Sequence, residues 1–409
     1  MNQASSPPQN HSSVLSSPWQ ELLAFATTIR HQLHQLPELT WQEERTAQLI
    51  RQILTDLDIP WRVCATFGTV ATLNAQSSNR PHIALRADID ALPIQEQSQV
   101  PWQSEHDGVM HACGHDGHTA VLLATAKWLK MHEAELSAPV TLIFQPAEEG
   151  GHGAREMIAD GALNEIDAIY GWHNWPAIPF AHCVCPDGVV MAGNATFRII
   201  LKGKGGHASQ PEQCVDPVIA AAALTQNLQQ IVSRRIAPQS PTVVSVTSID
   251  ANSSYTVIPE SATLTGSIRI ANMADKLPIE RMIRQISIDT AATYGVTAVM
   301  DIHPRYRPTV NHPNAAEHAR QCWAKLFGQE SLNTQTPLPI MASEDFSYYL
   351  EKVAGAFALI GANDGVSAHG VDHQHPCHSA FYDFNDRLLE RVIAWYAELV
   401  GISSPIAPK

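Results

Sequence analysis

The chain has 409 residues, of which 44% are hydrophobic and 16% charged, and its formal net charge at pH 7 is −14. This length favours two domains, and the composition is typical of a globular protein with a sizeable core. The negative charge argues against nucleic acids and anionic membranes as partners, because both bind to basic surfaces.

The cysteines, the two termini and the longest apolar runs indicate where in the cell the protein is located. The seven cysteines are an odd number, scattered from Cys64 to Cys377, and indicate no disulfide framework. We therefore predict a reducing, cytoplasmic location. Residues 1–17 lack the features of a signal peptide and are predicted to be a disordered tail, and residues 401–409 a loose C-terminus. No apolar run reaches the ~18 residues of a membrane span.

The first half of the chain alternates predicted helices and strands. Residues 18–57 keep the apolar spacing of two helices, which Pro37 separates, and residues 40–43 predict a capping box for the second. Further predicted elements are strands at 61–73, 82–86, 140–144 and 168–172 and a helix at 120–131. This alternation predicts an α/β sheet with helices on its faces. It forms the first part of a domain at residues 18–193, which is called the catalytic domain because most of the candidate site residues lie in it.

A different pattern begins near Gly193. Strands are predicted at 195–203, 242–249, 262–270 and 296–303, and helices at 216–232 and 276–294. The resulting order β-α-β-β-α-β is that of a ferredoxin-like α+β domain. We predict that this domain is inserted at residues 194–308, because the α/β pattern returns and completes the catalytic domain at residues 309–400.

The densest group of metal-ligand side chains lies at residues 111–118, with the sequence HACGHDGH. It joins a predicted strand to a predicted helix, and ligands at such a junction can point into one cleft. Cys113 and His115 are the strongest pair, because a one-residue spacing on extended backbone turns both side chains to the same side. The alternative is a buried free cysteine beside a hydrogen-bonded core histidine.

Two adjacent carboxylates, Glu148 and Glu149, follow the strand at 140–144 and precede two glycines. Adjacent residues on extended backbone point apart, so one carboxylate can bind a metal while the other reaches a metal-bound water. A metal-dependent hydrolase needs this division, because the metal lowers the pKa of the water and the free carboxylate takes its proton. The alternative is a solvated acidic turn.

Further ligand candidates are histidines in two other segments. His173 lies between two tryptophans just past a predicted strand, where it is either a ligand or a packing residue. The loop at 372–378 contains His373, His375 and His378, and one of them is predicted to be a ligand.

Two aspartates and one more histidine have alternative roles. Asp88 and Asp90 end a strand and are metal ligands, partners that orient an imidazole, or members of a strand-end salt bridge. His207 follows the glycine-rich turn at 203–206 and either approaches a substrate or is an exposed turn residue. Other catalytic classes are not indicated, because the sequence has no G-x-S-x-G elbow, Walker loop, G-x-G-x-x-G after the first strand, or H-E-x-x-H.

Together these motifs resemble those of the M20 metallopeptidase family, and within it the aminoacylase-like amidohydrolase branch. That branch includes hippurate hydrolases, N-acyl-amino-acid amidohydrolases and plant auxin-conjugate hydrolases. The resemblance covers nearly everything from about Pro18 to Val400. It rests on residues 85–93, 111–118, 144–150, 203–209, 257–259, 343–346 and 378–381.

The resemblance implies two divalent metal ions in the catalytic domain and an inserted lid domain that often mediates dimerisation. Its implied metal ligands are Cys113, His115, Glu149, His173 and His378. Cys113 would bridge the two metals, and His378 is favoured over His375. Glu148 would act as the general base and later as the acid that protonates the leaving amine. Asp90 would orient the site.

The resemblance also assigns roles to the lid. His207 would hold the substrate and stabilise the tetrahedral oxyanion, and in some relatives the equivalent histidine comes from the partner subunit. Arg269 on a lid strand is our candidate for binding the substrate carboxylate, unless it only pairs with an acidic neighbour. Departures from the family pattern include Thr256 in place of an asparagine, no histidine after Pro211, and Ala380 in place of a proline. The ligand set is intact.

We therefore predict a metal-dependent hydrolase that cleaves the amide bond of N-acyl-L-amino acids to a carboxylic acid and a free amino acid. The donor set admits Zn²⁺, Mn²⁺, Co²⁺ or Ni²⁺. The expected partners are the small-molecule substrate and, through the lid, a second copy of the chain, with no nucleic acid and no membrane. A dipeptidase or aminopeptidase of the same superfamily is the alternative enzyme, and a catalytically silent binding relative is the alternative outside enzymology.

Overall fold

The computed structural model describes residues 17–73, 80–365 and 372–406. Residues 1–16 of the predicted tail and residues 407–409 lie outside the described ranges, whereas Ile402 is buried in the main core. The helices are α1 (Pro18–Gln35), α2 (Glu44–Asp56), α3 (His115–Met131), α4 (Gly153–Ala159), α5 (Pro217–Leu228), α6 (Lys276–Thr293), α7 (Pro313–Phe327), α8 (Ser347–Leu350) and α9 (Arg387–Leu399).

The strands range from two to twelve residues. They are β1 (Trp61–Cys64), β2 (Gly68–Leu73), β3 (Ile83–Asp88), β4 (Val140–Gln145), β5 (Ala168–Pro179), β6 (Cys183–Val184), β7 (Gly188–Met191), β8 (Gly193–Lys202), β9 (Gly206–His207), β10 (Thr242–Asp250), β11 (Val257–Ile258), β12 (Ser261–Ile270), β13 (Thr297–Pro304), β14 (Thr309–Asn311) and β15 (Ala354–Asn363).

Local sequence signals explain both ends of α1. Pro18 occupies the first helical position, where its fixed φ is favourable and no N–H is needed. Ser17 precedes it as the N-cap and exchanges reciprocal hydrogen bonds with Gln20, which is a capping box. The helix ends at Gln35, because a residue before proline avoids helical backbone and Pro37 follows.

Seven strands form the main sheet, in the order β1-β2-β4-β3-β5-β15-β6. The central strands β4, β3, β5 and β15 run parallel, whereas β1, β2 and β6 pair antiparallel at the edges. All residues of β4 are buried, and all but the first of β3. Such continuous burial is typical of strands covered on both faces. The sheet is mixed, as predicted.

Helices cover both faces of the main sheet. Side chains of α1, α3, α7 and α9 share one hydrophobic cluster with the sheet, and those of α4 and α8 share another. Along β4, Leu142 and Phe144 enter the first cluster and Ile143 the second, because alternate strand residues face opposite sides. Within the described ranges, no helix is both long and apolar enough to cross a membrane.

A second unit, the lid, consists of β8, β10, β12 and β13 with α5 and α6. Its antiparallel sheet has the order β10-β12-β8-β13, and its elements follow the predicted order β-α-β-β-α-β. It has its own hydrophobic cluster, which includes Phe197, Leu224 and Ile283. The predicted fold class, an α/β catalytic domain with an inserted α+β lid, is confirmed. The domain boundaries at 18–193, 194–308 and 309–400 stay a prediction.

One strand that carries a predicted ligand is longer than predicted. β5 continues to Pro179 instead of ending at Trp172, and it pairs with β15 along most of this length. His173 therefore lies within a strand and not past its end. The additional ladder hydrogen bonds give this residue a fixed direction relative to the sheet.

Candidate active site

A cavity of about 410 Å³ lies between the loop after β4, the N-terminus of α3 and the lid. This is within the roughly 300–1,000 Å³ of small-molecule sites. Five predicted residues lie together in its wall: Cys113, Glu148, Glu149, His173 and His378. The lid and its connections contribute Asn194, Arg269, Arg305 and Tyr306.

His115 and His173 each direct one ring nitrogen at the ligand cluster. Nδ1 of His115 lies 2.9 Å from the backbone oxygen of Asp90, and Nδ1 of His173 lies 2.6 Å from that of Asn174. A carbonyl oxygen only accepts, so Nδ1 carries the proton of each neutral ring and Nε2 presents a lone pair. Nε2 of His115 is buried with no hydrogen-bond partner among the described residues. Nε2 of His173 lies 3.3 Å from Sγ of Cys113.

The two rings differ in their electrostatic surroundings. Burial lowers the pKa of His115, but the carboxylates of Asp88 and Asp90 raise it to about 10. The same carboxylates would favour a metal cation in place of the proton. Burial and the neighbouring His118 hold the pKa of His173 well below its usual range. His173 is therefore neutral, which is the form that binds metals.

Cys113 lies at the centre of the cluster. Its Sγ belongs to two groups of ligand atoms, and the atoms of each group lie within 4.8 Å of one another. The first group includes His115 and His173, and the second Glu149 and His378. Within the second, Oε1 of Glu149 lies 3.2 Å from Nε2 of His378. The thiol of Cys113 therefore lies within reach of candidate ligands on both sides.

Gly114 allows Cys113 and His115 to serve the same cluster. It is the N-cap of α3 and has a φ of 92°, in the left-handed region that favours glycine. A Cβ at this position would collide with the side chains of Asn174 and Tyr382. The chain therefore turns sharply between these two predicted ligands, which a larger residue would prevent.

The carboxylate of Asp90 holds the loop that carries the two glutamates. It accepts hydrogen bonds from the N–H of Glu148 at 3.1 Å, the N–H of Glu149 at 3.0 Å and the hydroxyl of Thr40 at 2.8 Å. Oδ1 also lies 3.3 Å from Nδ1 of His115. Burial raises the pKa of Asp90, but these partners lower it by more than burial raises it. The pKa of Asp90 is therefore below its usual range. Asp90 thus links the loop to a predicted ligand.

The capping box predicted at residues 40–43 is wrong. The N-cap residue of α2, Glu43, makes no side-chain cap hydrogen bond. The carboxylate of Glu38 instead accepts from the N–H groups of Arg45 at 3.1 Å and Thr46 at 2.8 Å. Thr40 donates to Asp90 instead, and Oε1 of Glu43 accepts from the N–H of Ala147 at 2.9 Å. The two side chains that would cap the helix therefore support the loop before Glu148. Burial and the charge of Asp90 raise the pKa of Glu43 to about 8.

Asp88 has contacts of a different kind. It forms an ion pair with Arg86 and lies 2.6 Å from Nδ1 of His118. Nε2 of His118 lies 2.7 Å from Oδ1 of Asn174. Asp88 therefore combines two of the roles considered for the aspartates, because it forms the strand-end salt bridge and also contacts the imidazole of His118. Asp90 instead contacts His115 and the loop of the two glutamates. Both ring nitrogens of His118 are therefore engaged in hydrogen bonds, so neither is directed at the ligand cluster as a free lone pair.

Glu148 is a buried carboxyl beside the ligand cluster, with an exposed fraction of 7%. Burial and the charges of Glu344 and Glu149 raise its pKa well above the usual range. Its Oε1 accepts from the N–H of Asp345 at 3.3 Å, and its backbone oxygen accepts from the hydroxyl of Tyr306 at 2.6 Å. A carboxyl with a raised proton affinity is suited to take a proton from water and return it.

The two predicted substrate-binding residues of the lid are placed differently. Arg269 lines the cavity, and its Nη1 donates to Oγ of Ser343 at 3.0 Å. His207 lies exposed on β9 and is outside the set of described residues that line the cavity. Nδ1 of His207 accepts from the N–H of Ser209 at 3.1 Å, so Nε2 carries the proton of the neutral ring. The structure brings Arg269, but not His207, to the ligand cluster.

A comparison with known families covers most of this architecture. The sequence profile of "Peptidase family M20/M25/M40" matches residues 84–401. That range contains all the predicted ligands and both lid residues. The chain belongs to this M20 peptidase family.

Two relatives and one solved structure illustrate the match. The N-acetylcysteine deacetylase of Bacillus subtilis (strain 168) is 38% identical over 388 residues, or 93% of this M20 chain and 97% of the relative. The IAA-amino acid hydrolase ILR1-like 2 of Arabidopsis thaliana is 36% identical over 384 residues, or 93% and 85%. The YXEP protein of Bacillus subtilis, a dinuclear metal binding peptidase from the M20 family, superposes with a TM-score of 0.78, at 32% identity over 93% of this chain and 98% of that chain.

These matches confirm the resemblance found in the sequence, and with it metal-dependent amide hydrolysis as the activity of this M20 chain. Two divalent metal ions are its cofactors, and the residues fit them. Thiolate, imidazole and carboxylate are the donors that zinc and first-row metals bind. The buried Nε2 of His115 has no hydrogen-bond partner in the described chain, and the nearest carboxylate oxygen, Oδ2 of Asp88, lies 3.7 Å away.

Two residues of the M20 site could not be found from the sequence. Arg305 and Tyr306 lie on the connector between β13 and β14, and both line the cavity. The available signal was the segment at 304–308, in which two arginines and a tyrosine stand between prolines. Its charge and stiffness are visible in the sequence, but the side to which it turns depends on how the lid docks.

Proposed function

We propose that the chain hydrolyses N-acyl-L-amino acids, releasing a carboxylic acid and a free amino acid. The observation that carries the proposal is two groups of ligand atoms that share one thiol, beside a buried carboxyl with a raised pKa. Two relatives support the substrate class, because an N-acetylcysteine deacetylase and an IAA-amino acid hydrolase are both named for acylated amino acids.

The proposed metal positions follow the two ligand groups. Cys113, His115 and His173 would hold one ion, and Cys113, Glu149 and His378 the other. Bound metals lower the pKa of a coordinated water and polarise the substrate carbonyl. The thiolate and imidazoles suit Zn²⁺, Co²⁺ or Ni²⁺, and the carboxylate admits Mn²⁺.

Glu148 is proposed as the general base. It accepts a proton from the attacking water and then donates it to the nitrogen of the leaving amino acid. Its position supports this role, because its carboxylate lies in one group with the proposed ligands His115 and Glu149 and can exchange a proton with a water bound there. Asp90 is proposed to position Glu148 and Glu149 through their backbone N–H groups.

Two lid residues are proposed to bind the substrate. Arg269 would bind the α-carboxylate, because Ser343 takes one donor of its guanidinium and the other N–H groups remain available. His207 would donate its Nε2 proton to the oxyanion. Since His207 lies outside the cavity of its own chain, it would act after lid movement or in the site of a second copy.

A homodimer through the lid is proposed on the basis of exposed apolar residues near His207. Tyr255 is fully exposed, and Val257, which pairs with His207 across the ribbon of β9 and β11, is 46% exposed. A second copy would cover this surface. We also propose a cytoplasmic location, which the free state of all seven cysteines supports.

The experiment that tests the proposed function is amino-acid release from a small substrate panel. The panel contains N-acetyl-L-methionine, hippurate, an indoleacetyl amino acid and a free dipeptide. Each is assayed with added Mn²⁺ or Zn²⁺ and again after chelation. We expect metal-dependent release from at least one acylated substrate.

Other results would change the assignment. Release from the dipeptide alone would move the protein to the dipeptidase or aminopeptidase class. A protein that retains no metal and releases nothing would support the catalytically silent alternative. Release that continues after complete removal of the metals would contradict metal-dependent hydrolysis.

A further inference from the structure

The side chain of Arg305 is held in the wall of the active-site cavity. The backbone N–H of Arg305 donates to the backbone oxygen of Asn194 at 3.0 Å, and the backbone N–H of Tyr306 donates to Oδ1 of Asn194 at 2.9 Å. The guanidinium carbon lies 5.6 Å from the ring centroid of Tyr306. A Cβ on Gly150 would collide with Nη2 of Arg305. The backbone is therefore fixed, and the guanidinium lies against the loop that carries Glu148 and Glu149.

Arg305 has no carboxylate partner, in contrast to the nearby Arg307. Nε of Arg307 lies 2.7 Å from Oε1 of Glu351. Neither Arg305 nor Arg269 forms an ion pair with any carboxylate in the part of the chain that the structure describes. Both nevertheless line the cavity that the proposed metal ligands also line.

The two guanidiniums, neither of which forms an ion pair, interact electrostatically with each other. Arg269 is half-buried, and its burial together with the charge of Arg305 lowers its pKa. Like charges this close destabilise each other unless an anion lies between or beside them. Glu148, Glu149 and Glu344 also line the cavity, but Glu344 is paired with Arg86. Two divalent ions at the proposed positions would outweigh the charges of Glu148, Glu149 and the Cys113 thiolate, so the occupied cavity would be net positive. Its surroundings therefore favour a ligand with more than one negative charge.

We propose that Arg305, together with Arg269, selects N-acyl amino acids that carry a second carboxylate in addition to the α-carboxylate. The inference rests on the proposed function and adds the charge of its substrate. Arg269 binds one carboxylate and Arg305 the other. A planar guanidinium suits this role, because it can donate two parallel N–H bonds to one carboxylate. A substrate with a single carboxylate would leave one guanidinium unpaired.

The second carboxylate can lie on either side of the scissile amide. It is either the side-chain carboxylate of an acylated aspartate or glutamate, or the free end of a dicarboxylic acyl group such as succinyl. Both present the same anion to Arg305. The cavity of about 410 Å³ is large enough for either molecule. Kinetic comparison of the two types identifies the source of the charge.

The experiment compares substrate pairs that differ only in that charge. One pair is N-acetyl-L-glutamate and N-acetyl-L-glutamine, and the other is N-succinyl-L-methionine and its succinamoyl analogue. The values of kcat and KM are measured with the metal-loaded wild type, Arg305→Gln, Arg305→Lys and the control Arg307→Gln. Circular dichroism and bound-metal content show that each variant is folded and loaded.

We expect the wild type to prefer the charged member of at least one pair by about tenfold or more in kcat/KM, the penalty for leaving a charged donor unpartnered. In Arg305→Gln this preference falls to near one through a higher KM for the charged member. Arg307→Gln keeps the preference. Arg305→Lys keeps part of it, because the charge remains while the planar fork is lost. The ratio is taken within each variant, so a uniform loss of activity does not alter it.

Two results would overturn the inference. One is a charged-to-neutral ratio at or below one in the wild type for both pairs, and the other is an unchanged ratio in Arg305→Gln. In both cases, hydrolysis of the neutral members leaves the proposed function standing. If the metal-loaded wild type hydrolyses no member of either pair and no acylated substrate of the panel described above, the proposed function fails and the inference fails with it.

Discussion

Glu148 and Glu149 are adjacent in the chain but have different surroundings. Glu148 is buried among carboxylates that raise its pKa, whereas Oε1 of Glu149 lies 3.2 Å from Nε2 of His378. We expect Glu148→Gln to retain the metals and to lower kcat by about 10²–10⁴-fold, because the general base is lost. Metal content by mass spectrometry and kcat on an accepted N-acyl amino acid measure the two effects separately.

Glu149→Gln is the matched control for this prediction. It makes the same chemical change one residue later, but it weakens a proposed metal ligand. We expect the metal content to fall together with the activity, because a neutral amide binds divalent cations less well than a carboxylate. A Glu148→Gln variant with full metal content and an undiminished rate would remove Glu148 from the role of base.

The attachment of α1 to α3 depends on a buried charged pair. Nδ1 of His34 lies 2.8 Å from Oδ2 of Asp116, and Nε2 lies 3.2 Å from Oε1 of Glu96. Burial lowers the pKa of His34, but Asp116 and Glu96 raise it to about 9, from an ordinary value near 6.5. His34 is therefore protonated at neutral pH, and its charge stabilises the contact between the two helices.

This shift predicts how stability depends on pH. Because the folded-state pKa of His34 is raised, its contribution is fully present below pH ~6.5 and is lost as the pH rises through about 9. A shift from 6.5 to about 9 corresponds to about 3 kcal/mol, since one pKa unit is about 1.4 kcal/mol. Urea unfolding between pH 6 and 10 should show a steeper loss for the wild type than for His34→Gln. Parallel curves would contradict the prediction.

Helices with a clear period of apolar residues could be predicted from the sequence. The hydrogen bonds by which their flanking residues support the active-site loop could not. Apolar spacing located both N-terminal helices, and Pro37 located the break between them. The pattern at residues 40–43 resembles a capping box, but Thr40 and Glu43 bind Asp90 and Ala147 instead. A local motif describes only the bonds that its residues can make with one another. A distant loop that needs donors and acceptors competes for the same side chains.

Across the whole molecule, a site residue can be predicted from the sequence when its position depends on one domain. It cannot when its position depends on how two domains or two chains meet. The ligand cluster belongs to one domain and to few residue types, so its members could be named from spacing and from the family resemblance. Arg305 belongs to the connector of two domains, and its approach to Gly150 follows from their docking. The position of His207 relative to a substrate depends on lid movement or on a second chain, neither of which a spacing rule describes.

Mixed dimers test whether His207 completes the site of a partner. His207→Ala alone should lower kcat by about 10²–10³-fold, the usual cost of losing an oxyanion donor. Glu148→Gln alone is inactive for a different reason. In a dimer of one chain of each kind, the His207→Ala chain retains Glu148 and receives an intact His207 from its partner. Differently tagged chains, purified as mixed dimers, should therefore regain about half of the wild-type activity, since one of two sites is complete.

The control pairs His207→Ala with the double variant that lacks both Glu148 and His207, so that no mixed dimer has a complete site. Activity regained in the first mixture and not in the second shows that His207 of one subunit acts in the active site of the other. Mixed dimers that form but stay inactive would place His207 in the site of its own chain and make lid movement its route to the substrate. A monomer in sedimentation velocity would contradict the dimer itself. The exposed ribbon that carries Val257 and Tyr255 would then need another explanation.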